Sequence, residues 1–245
     1  MRFIGAVVAT AVLLALPGQT RAQATDLLLV LAADVSRSID EAEFALQRKG
    51  YSAAVTDPRV LAVIRGGATG TIAICFVEWS GAGEQNVVAD WTVIHDEEDA
   101  GGFAAAIVAA PRSFIGRTSI SGAIDFAMER FAAAPPRAGR RIIDISGDGT
   151  NNSGRPVTDA RDQAVAQGVT INGLAIINDK PNPGYAFHTQ PPGGLPEWYR
   201  QNVIGGPGAF LRVVEDFQSF ADAMTSKLVS EIAAGSQQRL AASIR

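Results

Sequence analysis

Five oxygen-bearing side chains in three short segments stand out as the residues most able to do chemistry. Asp34-Val35-Ser36-Arg37-Ser38 carries a carboxylate and two hydroxyls at alternate positions. Alternate residues of an extended turn point the same way, so these three converge on one point. Gly116-Arg117-Thr118-Ser119 offers a further hydroxyl in Thr118, and Ser146-Gly147-Asp148-Gly149-Thr150 a second carboxylate in Asp148. Carboxylate and hydroxyl oxygens are hard ligands that suit Mg²⁺, with Mn²⁺ or Ca²⁺ as alternatives, better than zinc; Mg²⁺ takes roughly six oxygens and keeps several waters. Each segment also has a plain structural reading. Ser38 with Glu41 resembles a capping box, Thr118 and Ser119 are both good helix N-caps, and Asp148-Gly149 is a common turn pair. A cap requires one polar residue and not three in alternation, which favours the ligand reading.

The surrounding elements place all three segments at strand ends. Residues 27–33 form a continuous apolar run, short enough for a strand buried on both faces. Residues 71–79 and 141–146 repeat that pattern, 86–94 alternate like an edge strand, and strands are also expected at 169–177 and 209–214. Helical stretches fall between them: 41–55, stopped by Asp57-Pro58; 96–110, acidic at its start; 119–134; 156–167, with Gly168 just past its end; a short one at 197–203; and a closing amphipathic helix at 217–232. This alternation predicts an α/β doubly wound, mostly parallel central sheet with helices on both faces, as one domain over 25–232. The tail, 233–245, is small and polar and is expected to fray. Residues 178–196 are a Pro/Gly-rich insertion of a length that is often functional. In such sheets ligands bind at the carboxyl ends of the strands, where the three polar segments lie.

Composition narrows the function classes. With 47% hydrophobic residues, a formal charge of −4 and no basic cluster, the chain reads as globular, with no nucleic-acid partner. Arg2, the apolar run 3–16, Pro17-Gly18 and Ala22-Gln23-Ala24 together read as a signal peptide over 1–24, giving an exported protein, periplasmic or secreted. No later stretch is long enough to span a bilayer, and no cysteine sits near the cleavage point to carry a lipid. Cys75, the one cysteine, lies in an apolar run and reads as a buried structural thiol. His95 and His188 lack ligand spacing and take ordinary surface or loop roles. Residues 96–99 read as a solvated helix start, and Trp198 and Tyr199 as aromatics packed under a helix.

The three polar segments, in this order, resemble the metal-ion-dependent adhesion site of von Willebrand factor A domains such as integrin I domains. The carriers are Asp34-Val35-Ser36-Arg37-Ser38, Thr118 before Ser-Ile-Ser-Gly-Ala-Ile, and Asp148 within Ile-Ser-Gly-Asp-Gly. Trp79-Ser80, the run 148–152 and the run 202–210 look closer still to an uncharacterised family of exported bacterial proteins with this fold. The resemblance implies that Ser36 and Ser38 hold the metal directly, Thr118 directly or through water, and Asp34 and Asp148 largely through water. A cation held mainly by neutral hydroxyls favours one more anionic oxygen, so the implied partner is a protein or peptide supplying an acidic side chain. In such domains that exchange is coupled to movement of the last helix. The extra Gly147 departs from the usual Thr-Asp-Gly or Ser-Asp-Gly and bears on where Asp148 points. The function expected is thus a non-catalytic, cation-dependent binding module. The alternative is a metal-dependent hydrolase or phosphatase on the same oxygens, disfavoured because neither a second carboxylate cluster nor a site histidine is evident in the sequence. Neither a Gly-x-Ser-x-Gly elbow nor a Gly-x-Gly-x-x-Gly loop is present for acyl or dinucleotide chemistry.

Overall fold

Strand β1 (Leu28–Asp34) is buried along its whole length, and its alternate residues serve two different cores. Leu29, Leu31 and Ala33 face one helical layer; Leu28, Val30 and Ala32 face the other. A strand apolar on both sides has to lie at the centre of a three-layer sandwich. That is where it lies in the computed structural model, which describes residues 24–177 and 184–243, with side chains as far as 234. Residues 1–23, where nearly all of the expected leader falls, and 178–183 of the insertion lie outside the described residues.

After β1 come α1 (Glu41–Val55), α2 (Pro58–Arg65), β2 (Ile72–Trp79), β3 (Gln85–Ile94), α3 (Glu97–Ala109), α4 (Ile120–Ala132), β4 (Arg141–Gly147), α5 (Val157–Ala166) and β5 (Thr170–Ile176). The chain ends with α6 (Ala186–Thr189), α7 (Leu195–Asn202), β6 (Leu211–Val214), a 3₁₀ turn over Phe217–Ser219 and α8 (Phe220–Ser243). The sheet order is β3-β2-β1-β4-β5-β6. All neighbours are parallel except β2 and β3, which pair antiparallel. Helices α1, α2, α3 and α8 cover one face; α4, α5 and α7 cover the other. This is the doubly wound α/β domain the alternation of elements called for, with β3 at the edge. From β1 the chain builds outward through β2 in one direction and through β4 in the other. The switch of order therefore falls between β1 and β4, where a crevice opens at their carboxyl ends.

Three local readings differ from expectation. The capping box of α1 is made by Asp40 and Glu43, two residues later than the Ser38/Glu41 pair. Asp40 accepts from the Ala42 and Glu43 amides, and Glu43 accepts from the Asp40 amide. Asp57-Pro58 ends α1 and also opens α2, with Asp57 as its cap and Pro58 in its first turn; Val60, Leu61 and Ile64 fix that helix to the core. The last helix continues into the tail as far as Ser243, so residues 233–243 of the stretch expected to fray are helical. Cys75 meets its expectation: it is fully buried, and burial pushes its thiol up to about 12, so it packs as a small hydrophobe.

One charged cluster interrupts the apolar layer beneath α8. Lys227, fully buried, lies 2.7 Å from Asp144 of β4 and also contacts Glu231 one turn on. Asn172 of β5 donates to Glu231 at 2.7 Å and accepts from the Phe210 amide. One ammonium between two carboxylates leaves a surplus negative charge in a dry place. Burial, and then Glu231, raise the Asp144 carboxyl to about 7 from an ordinary 3.8. Removing the cation alone with Lys227→Met is expected to cost about 3–5 kcal/mol in urea unfolding, the usual scale for stranding a buried charge. A carboxyl whose pKa rises on folding binds its proton more tightly when native, so its stabilisation is present at low pH and fades as pH rises toward 7. Asp144→Asn should therefore show a shallower decline in stability between about pH 4 and pH 7 than the wild type in the same unfolding series.

Candidate metal centre

The crevice between β1 and β4 gathers all five oxygen-bearing residues singled out above. Asp34 is the last residue of β1, and its Oδ1 accepts from the Ser36 amide at 2.7 Å, which curls the loop back over the strand end. The Ser36 and Ser38 hydroxyls are then 3.3 Å apart. Thr118, just before α4, donates to Ser36 Oγ at 3.2 Å, and Ser38 donates to Asp148 Oδ1 at 2.6 Å. A continuous line of oxygens thus runs Thr118–Ser36–Ser38–Asp148, with Asp34 beneath it. Ser38 is available for this line because Asp40 takes over the capping of α1. Ser119, and not Thr118, caps α4, accepting from the Gly122 amide.

Asp34, Ser36, Thr118 and Asp148 are all buried. Burial, followed by repulsion from Asp148, holds the Asp34 carboxyl well above the usual carboxylate range. Burial raises Asp148 to about 7, against the opposing hydrogen bond from Ser38. Oδ2 of Asp34, Oδ2 of Asp148 and Oη of Tyr199 are buried without a hydrogen-bond partner. Two neighbouring buried carboxylates, both with raised proton affinity and each with an oxygen unserved, fit a divalent cation and its waters. Three neutral hydroxyls complete a hard-oxygen donor set.

The loops are held from outside the crevice. One guanidinium nitrogen of Arg112 donates to the carbonyls of Val35, Ser36 and Ile39 at 2.9, 2.9 and 2.8 Å, while Arg112 Nη1 pairs with Glu41 at 3.0 Å. Asn152 Oδ1 accepts from the Thr118 amide, and the amides of Asn152 and Ser153 donate back to the Thr118 carbonyl. Ser80 accepts from the Gly116 amide at 2.7 Å, and its own carbonyl accepts from the Ser119 amide. Arg112, Asn152 and Ser80 position the site without belonging to the oxygen line. Asn152 and Ser80 fall in the sequence runs that carried the closer resemblance; Arg112 lies in none of them.

Gly147 is the last residue of β4, and a methyl group there would stand 2.8 Å from Tyr199 Oη and 2.9 Å from Asp34 Oδ2. The additional glycine therefore leaves Asp148 in contact with Ser38 and gives room for Asp34 and Tyr199 beneath it. Tyr199, from α7, is fully buried, as a core aromatic should be, with its hydroxyl toward the carboxylates. His188, expected in an ordinary surface or loop role, lies in α6 next to the site. Its ring lies against Gly149, its carbonyl accepts from the Thr150 amide at 2.9 Å, and burial lowers its imidazole below the ordinary 6.5. Only the fold of the insertion brings it there. His95, Asp96 and Asp99 bring their ligand atoms within 4.8 Å of one another at the surface. Asp96 caps α3 and Asp99 accepts from the His95 amide, so these carboxylates serve the helix start, as expected.

Comparison with known proteins agrees with this architecture. A family model described as "Protein of unknown function (DUF1194)" matches residues 24–236. A search of curated proteins finds no match. Among solved structures, the chain is similar to proximal thread matrix protein 1 of the mussel byssus, with TM-score 0.62 and 17% identity over 86% of this chain and 49% of that one. It is similar to a von Willebrand factor type A protein of Catenulispora acidiphila, with TM-score 0.58 and 16% identity over 86% and 43%. It is also similar to the conserved hypothetical protein BatB of Bacteroides thetaiotaomicron, with TM-score 0.55 and 18% identity over 85% and 99%. Another structure of the mussel protein is described as having a zinc-occupied MIDAS motif. The chain spans about half the length of the mussel protein and less than half of the Catenulispora one. The shared fold is that of von Willebrand factor A domains.

Two substitutions test how the centre is held. Arg112→Lys keeps the charge, but its single nitrogen cannot meet the three carbonyls and also Glu41 and the Phe114 carbonyl, which Nη1 and Nε now serve, and should lower stability by about 2 kcal/mol in urea unfolding. Gly147→Ala should cost about 1–3 kcal/mol by overpacking, and Tyr199→Phe in the same chain should recover part of that loss by removing one of the two clashing oxygens.

Proposed function

This chain belongs to the DUF1194 family of proteins of unknown function, and within that family we propose that it is a divalent-cation-dependent protein-binding module. Asp34, Ser36, Ser38, Thr118 and Asp148 would hold one cation, Mg²⁺ by the hardness of its donors, with Mn²⁺ and Ca²⁺ as alternatives. The observation that carries this reading is the convergence of three hydroxyls and two buried carboxylates at the switch between β1 and β4, each carboxylate with an unserved oxygen. When bound, the ion supplies a positive centre open to one more oxygen, such as the carboxylate of a partner protein. Asp34 shapes the loop through the Ser36 amide, Ser38 links that loop to β4 through Asp148, and Thr118 joins α4 to the same line.

The surface around the site suits a protein partner. Phe187, 95% exposed, and Ile115, 57% exposed, sit on the segments that carry His188 and Gly116–Thr118. Large exposed apolar side chains beside a polar centre favour a macromolecular ligand over a small solute. Among the described residues no helix is long and apolar enough to cross a membrane. The leader reading of residues 1–24 would give the site an exported setting, periplasmic or extracellular.

The hydrolase reading gains one observation from His188, whose Nδ1 is buried beside the site without a partner. A second cluster of carboxylates at the strand ends is still lacking among the described residues, so binding without turnover is the preferred function. Titration calorimetry with Mg²⁺, Mn²⁺ and Zn²⁺ is expected to give about one ion bound per chain, with binding abolished in Asp34→Ala/Ser36→Ala and weakened at least roughly tenfold in Asp148→Ala. Hydrolysis of p-nitrophenyl phosphate by the Mn²⁺-loaded chain above the metal-only rate would displace the binding reading in favour of the enzyme.

A further inference from the structure

Beside the oxygen line a cavity of 320 Å³ opens next to Ser38 and Thr118, walled by Arg37, Arg117, Tyr185 and His188. Two arginines line it, and among the described residues that line it there is no carboxylate. Arg37 is exposed, and its side chain makes no hydrogen bond or ion pair among the described residues; its amide is tied down, donating to the Gly116 carbonyl at 3.0 Å. Arg117 is also exposed and is held by Asn152 through Nη2, at 2.6 Å from the carbonyl, and through Nε. That leaves its Nη1 without a partner among the described residues. Tyr185 and His188 meet edge to face, with ring centroids 6.4 Å apart, and give one wall an aromatic surface.

We infer that this cavity is a second acidic subsite: the ligand is a peptide carrying two carboxylates, one on the cation and the other against Arg37 and Arg117. The inference rests on the metal-centre reading above. Arginine presents several fixed donors to a carboxylate, and an arginine already oriented by Asn152 loses less freedom on binding than a loose one. The cavity has room for about ten waters at liquid density, more than a single compact anion fills, so the stem of a Glu or Asp side chain fits along the aromatic wall. Exposed Phe187 in the same short helix as His188 extends the contact surface beyond the acidic groups. Aspartate or glutamate at two nearby positions of one chain supplies both anions, which one phosphate does not.

The test is fluorescence anisotropy with the Mg²⁺-loaded chain and N-terminally labelled, C-terminally amidated peptides of the form Glu-Gly-Glu and Glu-Gly-Gln, which carry two and one carboxylates, repeated with zero to three intervening glycines. At one spacing the two-acid peptide should bind about tenfold more tightly than its one-acid partner. Arg37→Gln/Arg117→Gln should bring the two-acid peptide down to the affinity of the one-acid peptide measured on the same variant, with about one Mg²⁺ still bound per chain, and Arg37→Lys/Arg117→Lys should restore part of the advantage. Equal affinity for the two peptides at every spacing, or an advantage that survives the glutamine variant, overturns the subsite. Inorganic phosphate binding that depends on both arginines, without a two-acid advantage, assigns the cavity to a lone anion and also overturns it. Failure of the metal-centre reading looks different: Mg²⁺ does not bind in calorimetry, or chelation leaves the affinity of both peptides unchanged.

Discussion

Two carboxylates, Asp34 and Asp148, are buried side by side at the ends of adjacent strands, and the upper half of the molecule is arranged around that fact. Burial raises the proton affinity of both, the charge on Asp148 raises that of Asp34 further, and neither has enough protein donors to satisfy both of its oxygens. Such a pair is tolerable in a dry crevice only with compensation by protons or by a cation. The hydroxyls of Ser36, Ser38 and Thr118 are placed where they can share in either arrangement. The sheet order makes this possible: β1 and β4 are neighbours whose following loops diverge to opposite layers, so the space above them is left free of the main chain.

Loops that must hold five oxygens in register cannot rely on burial of their own apolar surface, since they have little. They are held instead by polar groups aimed at main-chain atoms. Arg112 gathers three carbonyls of the first loop, Asn152 fixes the Thr118 peptide from both sides, and Ser80 links the end of β2 to the start of α4. Bonds to the main chain do not depend on the side chains they position. The side chains that line the crevice are therefore free to differ while the loop shape stays fixed.

The fold was legible because its signals are long and redundant: strands apolar on both faces, separated by helices with caps and stops. The oxygen line was legible because alternation in Asp34, Ser36 and Ser38 is rare for a cap and natural for a shared focus. Other features were hidden for physical reasons. Asp57-Pro58 serves as a stop for α1 and as the start of α2, and the first role masks the second. Two overlapping box patterns begin at Ser38 and Asp40, and only packing decides between them; the later one wins and frees Ser38. Arg112 carries no signal of its role, since carbonyl partners leave no trace in a sequence. His188 reaches the site because α6 sets its ring against Gly149, just past the end of β4, a long-range contact without periodicity to betray it.

The buried Lys227 has a consequence for how far the last helix can move over the sheet. Strand β4 carries Asp144 under the last helix and, just past its end, Asp148 in the crevice, so one rigid rod touches both. A helix resting on apolar side chains alone can slip along a sheet, exchanging one set of methyl contacts for another at little cost. Helix α8 cannot, because any slide draws an ammonium away from Asp144 into hydrocarbon. The last helix is thereby pinned to the central sheet at one charged point, on the same strand whose end enters the crevice.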